Sequence, residues 1–160
     1  MAVDLETIAS FLAEANRAGY ASGRESAWKK EADGSTTIIY ENGSWKFHDN
    51  YFGGEPYGGR EVIFSHGKAV FMMVYHGRIS DRSLDRQMIY GFLRKALALF
   101  PEEMPLRGPE YFEEIQGGKK MEYHNRWEGD LSFFAGEEQI LSDGKEIYEA
   151  TYAGGLVDQD

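Results

Sequence analysis

The chain has 160 residues, enough for one hydrophobic core, and its 42% hydrophobic and 14% aromatic content excludes a disordered chain. It has no cysteine, which excludes a disulfide framework and thiol chemistry. A formal net charge of −10 opposes phosphate backbones and anionic lipid, so neither nucleic acid nor membrane is expected as a partner.

Residues 4–18 read as an amphipathic helix, with Leu5, Ile8, Phe11, Leu12 and Ala15 at helical spacing between a capping Asp4 and Gly19. The same N-terminus is acidic where a secretion signal is basic, and no stretch is long and apolar enough for a bilayer, so a cytoplasmic protein is expected. Residues 20–34 are polar and read as a loop. Residues 35–40 and 45–48 form strands around a turn containing Asn42-Gly43. Residues 49–60, with four glycines and Pro56 among three aromatics, read as a loop with special backbone needs.

Residues 57–79 then recur as residues 134–156, an offset of 77 positions (134 minus 57) with no gap. Gly59, Glu61, Ile63, Ser65, Gly67, Lys68, Tyr75 and Gly77 match Gly136, Glu138, Ile140, Ser142, Gly144, Lys145, Tyr152 and Gly154. The pairs His66-Gly67 and Asp143-Gly144 suit type I′ turns, so each copy reads as a tight hairpin. A plain two-residue register pairs Ile63 with Val70 and Glu61 with Met72, leaving Phe64, Phe71, Met73 and Tyr75 on the other face.

A second helix is predicted over residues 83–100. Its broad apolar face, including Ile89, Phe92, Leu93 and Ala96, predicts deeper burial than the first helix has. Residues 101–118, with three prolines and Gly117-Gly118, read as a stiff connector, and strands over 121–127 and 131–134 lead into the second hairpin. The expected fold class is α+β: a single domain of two tandem, pseudo-symmetric αββββ repeats, about 4–80 and 81–156, with helices packed on curved antiparallel sheet.

The arrangement Trp45-x-Phe47-x-Asp49-x-Tyr51-Phe52-Gly53-Gly54, then Tyr57-x-Gly59-x-Glu61-Val62, resembles a bacterial domain family of unknown function. The closing Gly136-x-Glu138-x-Ile140 and Tyr148-x-x-x-Tyr152-x-Gly154-Gly155 is similar to that family's C-terminal signature. Such domains occur alone or behind a helix-turn-helix segment. The chain departs from the pattern at Phe71, where tryptophan is frequent, and at Val74, where asparagine is. The resemblance implies a shared fold unit and assigns no reaction.

The four histidines, His48, His66, His76 and His124, make no metal-ligand spacing, and no sequence motif points to a metal, a cofactor or a catalytic nucleophile. The glycines at 53–59 lead into a strand and lack the Gly-Lys-Ser/Thr ending of a phosphate loop. Aromatics beside carboxylates carry the sharper signal. Asp49, Tyr51, Tyr57, Glu61, Phe71 and Tyr75 form the candidate site for a small cationic or amphipathic organic ligand, held by charge and ring faces. The alternative is an acidic protein-interaction module or inhibitor using an exposed sheet face, in which case a protein is the partner.

Overall fold

Apolar and polar residues alternate through most of the chain after the first helix, and alternation puts successive side chains on opposite faces of a strand. The computed structural model describes residues 3–19 and 28–160. In chain order the elements are α1 (Leu5–Ala18), β1 (Trp28–Lys30), β2 (Thr36–Asn42), β3 (Trp45–Gly53), β4 (Tyr57–Ser65), β5 (Lys68–Ile79), α2 (Arg86–Leu97), β6 (Tyr111–Gln116), β7 (Lys119–Asp130), β8 (Phe133–Ser142) and β9 (Lys145–Leu156).

The expected α+β arrangement of two αββββ units, helices packed on curved sheets, is not what forms. All nine strands join one antiparallel sheet in the order β1-β2-β3-β4-β5-β9-β8-β7-β6, and two helices of 14 and 12 residues are the minor component. The physical reason lies at β5 and β9. Each is 12 residues long, and left as sheet edges they would expose rows of unpaired N–H and C=O groups. They pair with each other instead, from Phe71 opposite Leu156 to Ile79 opposite Tyr148, with Tyr75 opposite Tyr152 at the centre.

Both repeated hairpins have the expected turns. His66 and Gly67 have φ of 52° and 80°, and Asp143 and Gly144 have 48° and 82°, the left-handed values a type I′ turn requires. The register beyond the turns differs from the plain one. A bulge between Ile63 and Phe64 sets Ile63 opposite Phe71 and Glu61 opposite Met73. The second hairpin bulges at the matching place, setting Ile140 opposite Tyr148 and Glu138 opposite Ala150. One extra residue turns Glu61 onto the same sheet face as Phe71, Met73 and Tyr75.

Other segments also shift. The glycine-rich stretch is mostly strand, because β3 runs on to Gly53 and β4 starts at Tyr57. The expected connector contains β6, and the expected loop 20–34 contains β1 (residues 20–27 lie outside the described residues). Helix α2 is shorter than expected because Asp85 caps it, accepting from Gln87 N at 3.0 Å. Asp4 caps α1 as expected. The two helices are buried alike, six of 14 residues in α1 against five of 12 in α2, so α2 is not the deeper one.

Two apolar clusters anchor the helices to one sheet face. Ile8, Phe11 and Leu12 of α1 join Phe47, Ile63 and Phe71, while Ile89, Phe92 and Leu93 of α2 join Tyr123, Ile140 and Tyr148. Fully burying such a side chain is worth roughly 1.5–3 kcal/mol, so these contacts dominate the stability of both helices. Among the described residues no helix is long and apolar enough to cross a membrane.

Candidate functional site

Between the two clusters lies a cavity of about 320 Å³. Its floor is the sheet face at Asp49, Glu61 and Tyr75; Tyr90, Leu93 and Arg94 of α2 line it as well. Asn16, Trp28, Lys30, Leu106 and Arg107 complete its outline from α1, β1 and the segment before β6.

The structure brings five of the six sequence-derived residues to this cavity: Asp49, Tyr51, Tyr57, Glu61 and Tyr75. Phe71 is not among them. It is fully buried in the core and stacks on Phe134 with ring centroids 5.9 Å apart, because it lies opposite Ile63, nearer the start of β5 than Tyr75 and within the α1 cluster. Sequence reasoning also missed Arg107, Arg94, Arg86 and Tyr90. Helical spacing marks the α2 residues only as a half-polar face, and Arg107 sits in a proline-flanked stretch with no local pattern.

Asp49 and Glu61 are opposite each other on β3 and β4 and point to the same side. Both are buried, each with 7% of its surface exposed. Tyr75 donates its hydroxyl to Asp49 Oδ1 at 2.5 Å. Burial pushes Asp49 up to about 7, with the Tyr75 bond and the Arg107 charge pulling the other way. Burial, followed by repulsion from Asp49, pushes Glu61 up to about 8 against the attraction of Arg107. The two carboxyls act on each other, so the pair takes up protons closer to neutral pH than ordinary carboxyls do.

Glu61 has a further peculiarity. Among the described residues no hydrogen bond or ion pair reaches it, and its Oε2 is a buried oxygen without a partner. An unsatisfied buried acceptor costs about 1–3 kcal/mol, more for a charged one. Its counterpart Glu138 lies in the same place on the second hairpin and lacks nothing. Arg107 donates from Nε to Glu138 Oε2 at 3.1 Å and from Nη2 to Oε1. Tyr123 donates to Oε2 at 2.6 Å and Tyr148 to Oε1 at 3.0 Å. Since Tyr148 spends its proton on Glu138, the Tyr57 hydroxyl is the donor in the Tyr57–Tyr148 bond. This chain of bonds fixes Tyr57 at the cavity wall.

Tyr57 also needs space beneath it. It pairs with Gly77 across the sheet, and a Cβ at Gly77 would lie 2.6–2.8 Å from its ring and hydroxyl. Gly77→Val is therefore expected to displace the Tyr57 ring and cost about 1–3 kcal/mol, as overpacking does. Urea melts of the variant check this; an unchanged midpoint would show that the ring moves freely.

The charges on the lining run against those of the whole chain. The protein has 17 Lys and Arg against 27 Asp and Glu, yet the lining has Lys30, Arg86, Arg94 and Arg107 against Asp49 and Glu61 alone. His48 is half-buried on β3, and its pKa is lowered by burial and by the charges of Arg60 and Lys46. Neither His48 nor His76 lines the cavity. Among the described residues no group of three or more His, Asp or Glu side chains is placed to hold a metal ion.

No curated protein and no solved structure matches the chain. A family described as a domain of unknown function, DUF5680, matches residues 49–157, a span that runs from Asp49 through the last strand and includes both Glu61 and Glu138. On that match, which covers more than half of its length, the chain belongs to the DUF5680 family.

Proposed function

We propose that the protein binds a small organic ligand in this cavity, with a cationic group against Asp49 and Glu61 and apolar or aromatic parts against Tyr51, Tyr57 and Tyr75. One observation carries the reading: Glu61 is a buried carboxylate at the cavity floor whose Oε2 has no partner among the described residues. A ligand cation supplies the missing donor, and the ring faces around the two carboxyls favour it through their quadrupoles, against the repulsion of the basic side chains elsewhere on the lining. The volume falls in the range of small-molecule sites. The alternative, an acidic interaction module, would use an exposed sheet face and needs no cavity, so the cavity supports the ligand reading.

Titration calorimetry with benzylamine tests the proposal, with benzyl alcohol as the neutral control. The cation is expected to bind and the alcohol to bind at least about tenfold more weakly, since a charge-assisted bond to a buried carboxylate is worth about 1.5–3 kcal/mol. Glu61→Gln, which keeps the side-chain shape, is expected to remove that difference. Equal binding of benzylamine by the wild type and the variant would defeat the assignment.

A further inference from the structure

We propose that the cation this cavity takes is a guanidinium, seated on Glu61 with its second edge toward Asp49. The inference rests on the cation-site reading above and names the chemical class of the ligand. Its basis is internal: the chain already shows what completes a glutamate in this position.

The two hairpins supply the comparison strand by strand. Ile63 pairs with Phe47 and Phe71, and Ile140 with Tyr123 and Tyr148. Two residues along, Glu61 faces Asp49 and Glu138 faces Asn125. Tyr75 donates to Asp49 as Tyr152 donates to Asn125, at 2.7 Å in the second case.

Among the described residues, no donor like those of Glu138 reaches Glu61. The hydroxyls of Tyr123 and Tyr148 are replaced by the bare rings of Phe47 and Phe71. The guanidinium of Arg107 serves Glu138, and Lys30 on the cavity lining is exposed and donates to Thr36 Oγ1 at 2.7 Å. The neutral amide of Asn125 is replaced by a second carboxylate, Asp49. Three donors are lost and one acid is added at a spot that opens into a cavity.

Geometry selects among cations. The Glu138 site is filled by two parallel N–H groups of one planar fork, Nε and Nη2, onto the two oxygens of one carboxylate. A guanidinium ligand reproduces that pair on Glu61 and keeps further N–H groups for Asp49, and its flat face suits a tyrosine wall. A primary ammonium offers three donors from a single point and cannot reproduce the fork. A quaternary ammonium has no donor and would leave the Glu61 oxygens as unsatisfied as they are now.

The test compares benzylguanidine, benzylamine and benzyltrimethylammonium by calorimetry at pH 8, on the wild type and on Glu61→Gln. Benzylguanidine is expected to bind at least about tenfold tighter than benzylamine, with the quaternary probe weakest, and Glu61→Gln to erase the order. A second variant, Phe71→Tyr, returns one hydroxyl donor to the first half; it is expected to weaken benzylguanidine several-fold while urea melts show it folded. Equal, Glu61-dependent binding of all three probes would overturn the guanidinium inference and leave the cation site standing. No binding of any probe would overturn both. A benzylguanidine preference that survives in Glu61→Gln would place the ligand elsewhere and also overturn the inference.

Discussion

Arg107→Ala is expected to lower the unfolding free energy by about 3–5 kcal/mol, the usual cost of leaving one member of a buried ion pair alone. Glu138 has no exposed side-chain surface and Arg107 only 10%. Without the guanidinium, Glu138 keeps its bonds from Tyr123 and Tyr148 but loses the only opposite charge it is paired with among the described residues. The damage reaches the cavity as well. Arg107 draws down the pKa of both Asp49 and Glu61, and its Nη2 lies 3.4 Å from the Tyr57 hydroxyl. Urea melts at pH 7 measure the loss. A cost below about 1 kcal/mol, the level of an exposed pair, would show that water replaces the guanidinium freely. The exposed pair Arg78–Glu149 supplies the comparison: Arg78→Ala is expected to change stability by less than that amount.

What the sequence could and could not reveal divides along the range of the interactions. The turns at His66-Gly67 and Asp143-Gly144 were readable because positive φ at two consecutive residues leaves a local signature. The bulges left none. Val70 lies between Ala69 and Phe71, all three apolar, so alternation there does not show which strand carries the extra residue, and a one-residue error in the pairing reverses the faces. Phe71 shares a face with Tyr75 but lies nearer the start of β5, within the cluster under α1, and no local signal shows which part of the strand the helix covers. The glycines at 53–59 looked like a loop because strand propensity counts single residues, whereas these glycines make room for rings across the sheet. A Cβ at Gly59 would lie 2.5 Å from that of Tyr51, its partner on β3.

The joining of the sheet through β5 and β9 was out of reach for a related reason. Equal hairpins announce equal shapes, but nothing local says whether their last strands meet. Arg107 was invisible because its partner is 31 positions away. Glu61 could be suspected from the sequence, through its setting of aromatics and glycines in the first copy alone. What makes it stand out, the missing donors, is visible only when Phe47 and Phe71 are set beside Tyr123 and Tyr148, with the Arg107 fork spent on Glu138.

The pH dependence of stability follows from the same pair. Folding raises Asp49 to about 7 and Glu61 to about 8, above ordinary carboxyl values. Between about pH 4 and 8 the folded protein therefore binds more protons than the unfolded chain, and stability falls as pH rises. The contribution is fully present below the unfolded values and lost as pH climbs through the folded ones. Holding one carboxyl near 8 instead of its ordinary 4.5 corresponds to roughly 4–5 kcal/mol in full. Most of that, roughly 3 kcal/mol, falls between pH 5 and 8.

Other groups titrate in that window too, so the decisive quantity is the difference between variant and wild type. Asp49→Asn recreates the amide of Asn125, which accepts a tyrosine hydroxyl without bearing charge, and it frees Glu61 from its neighbour's repulsion. Asp49→Asn and Glu61→Gln are each expected to gain on the wild type as pH rises, by roughly 3 kcal/mol between pH 5 and 8. Urea melts at four pH values across that range give the slope. A constant difference between variant and wild type would mean that neither carboxyl titrates there, and the cavity floor would then carry a fixed charge that the protein tolerates without a ligand.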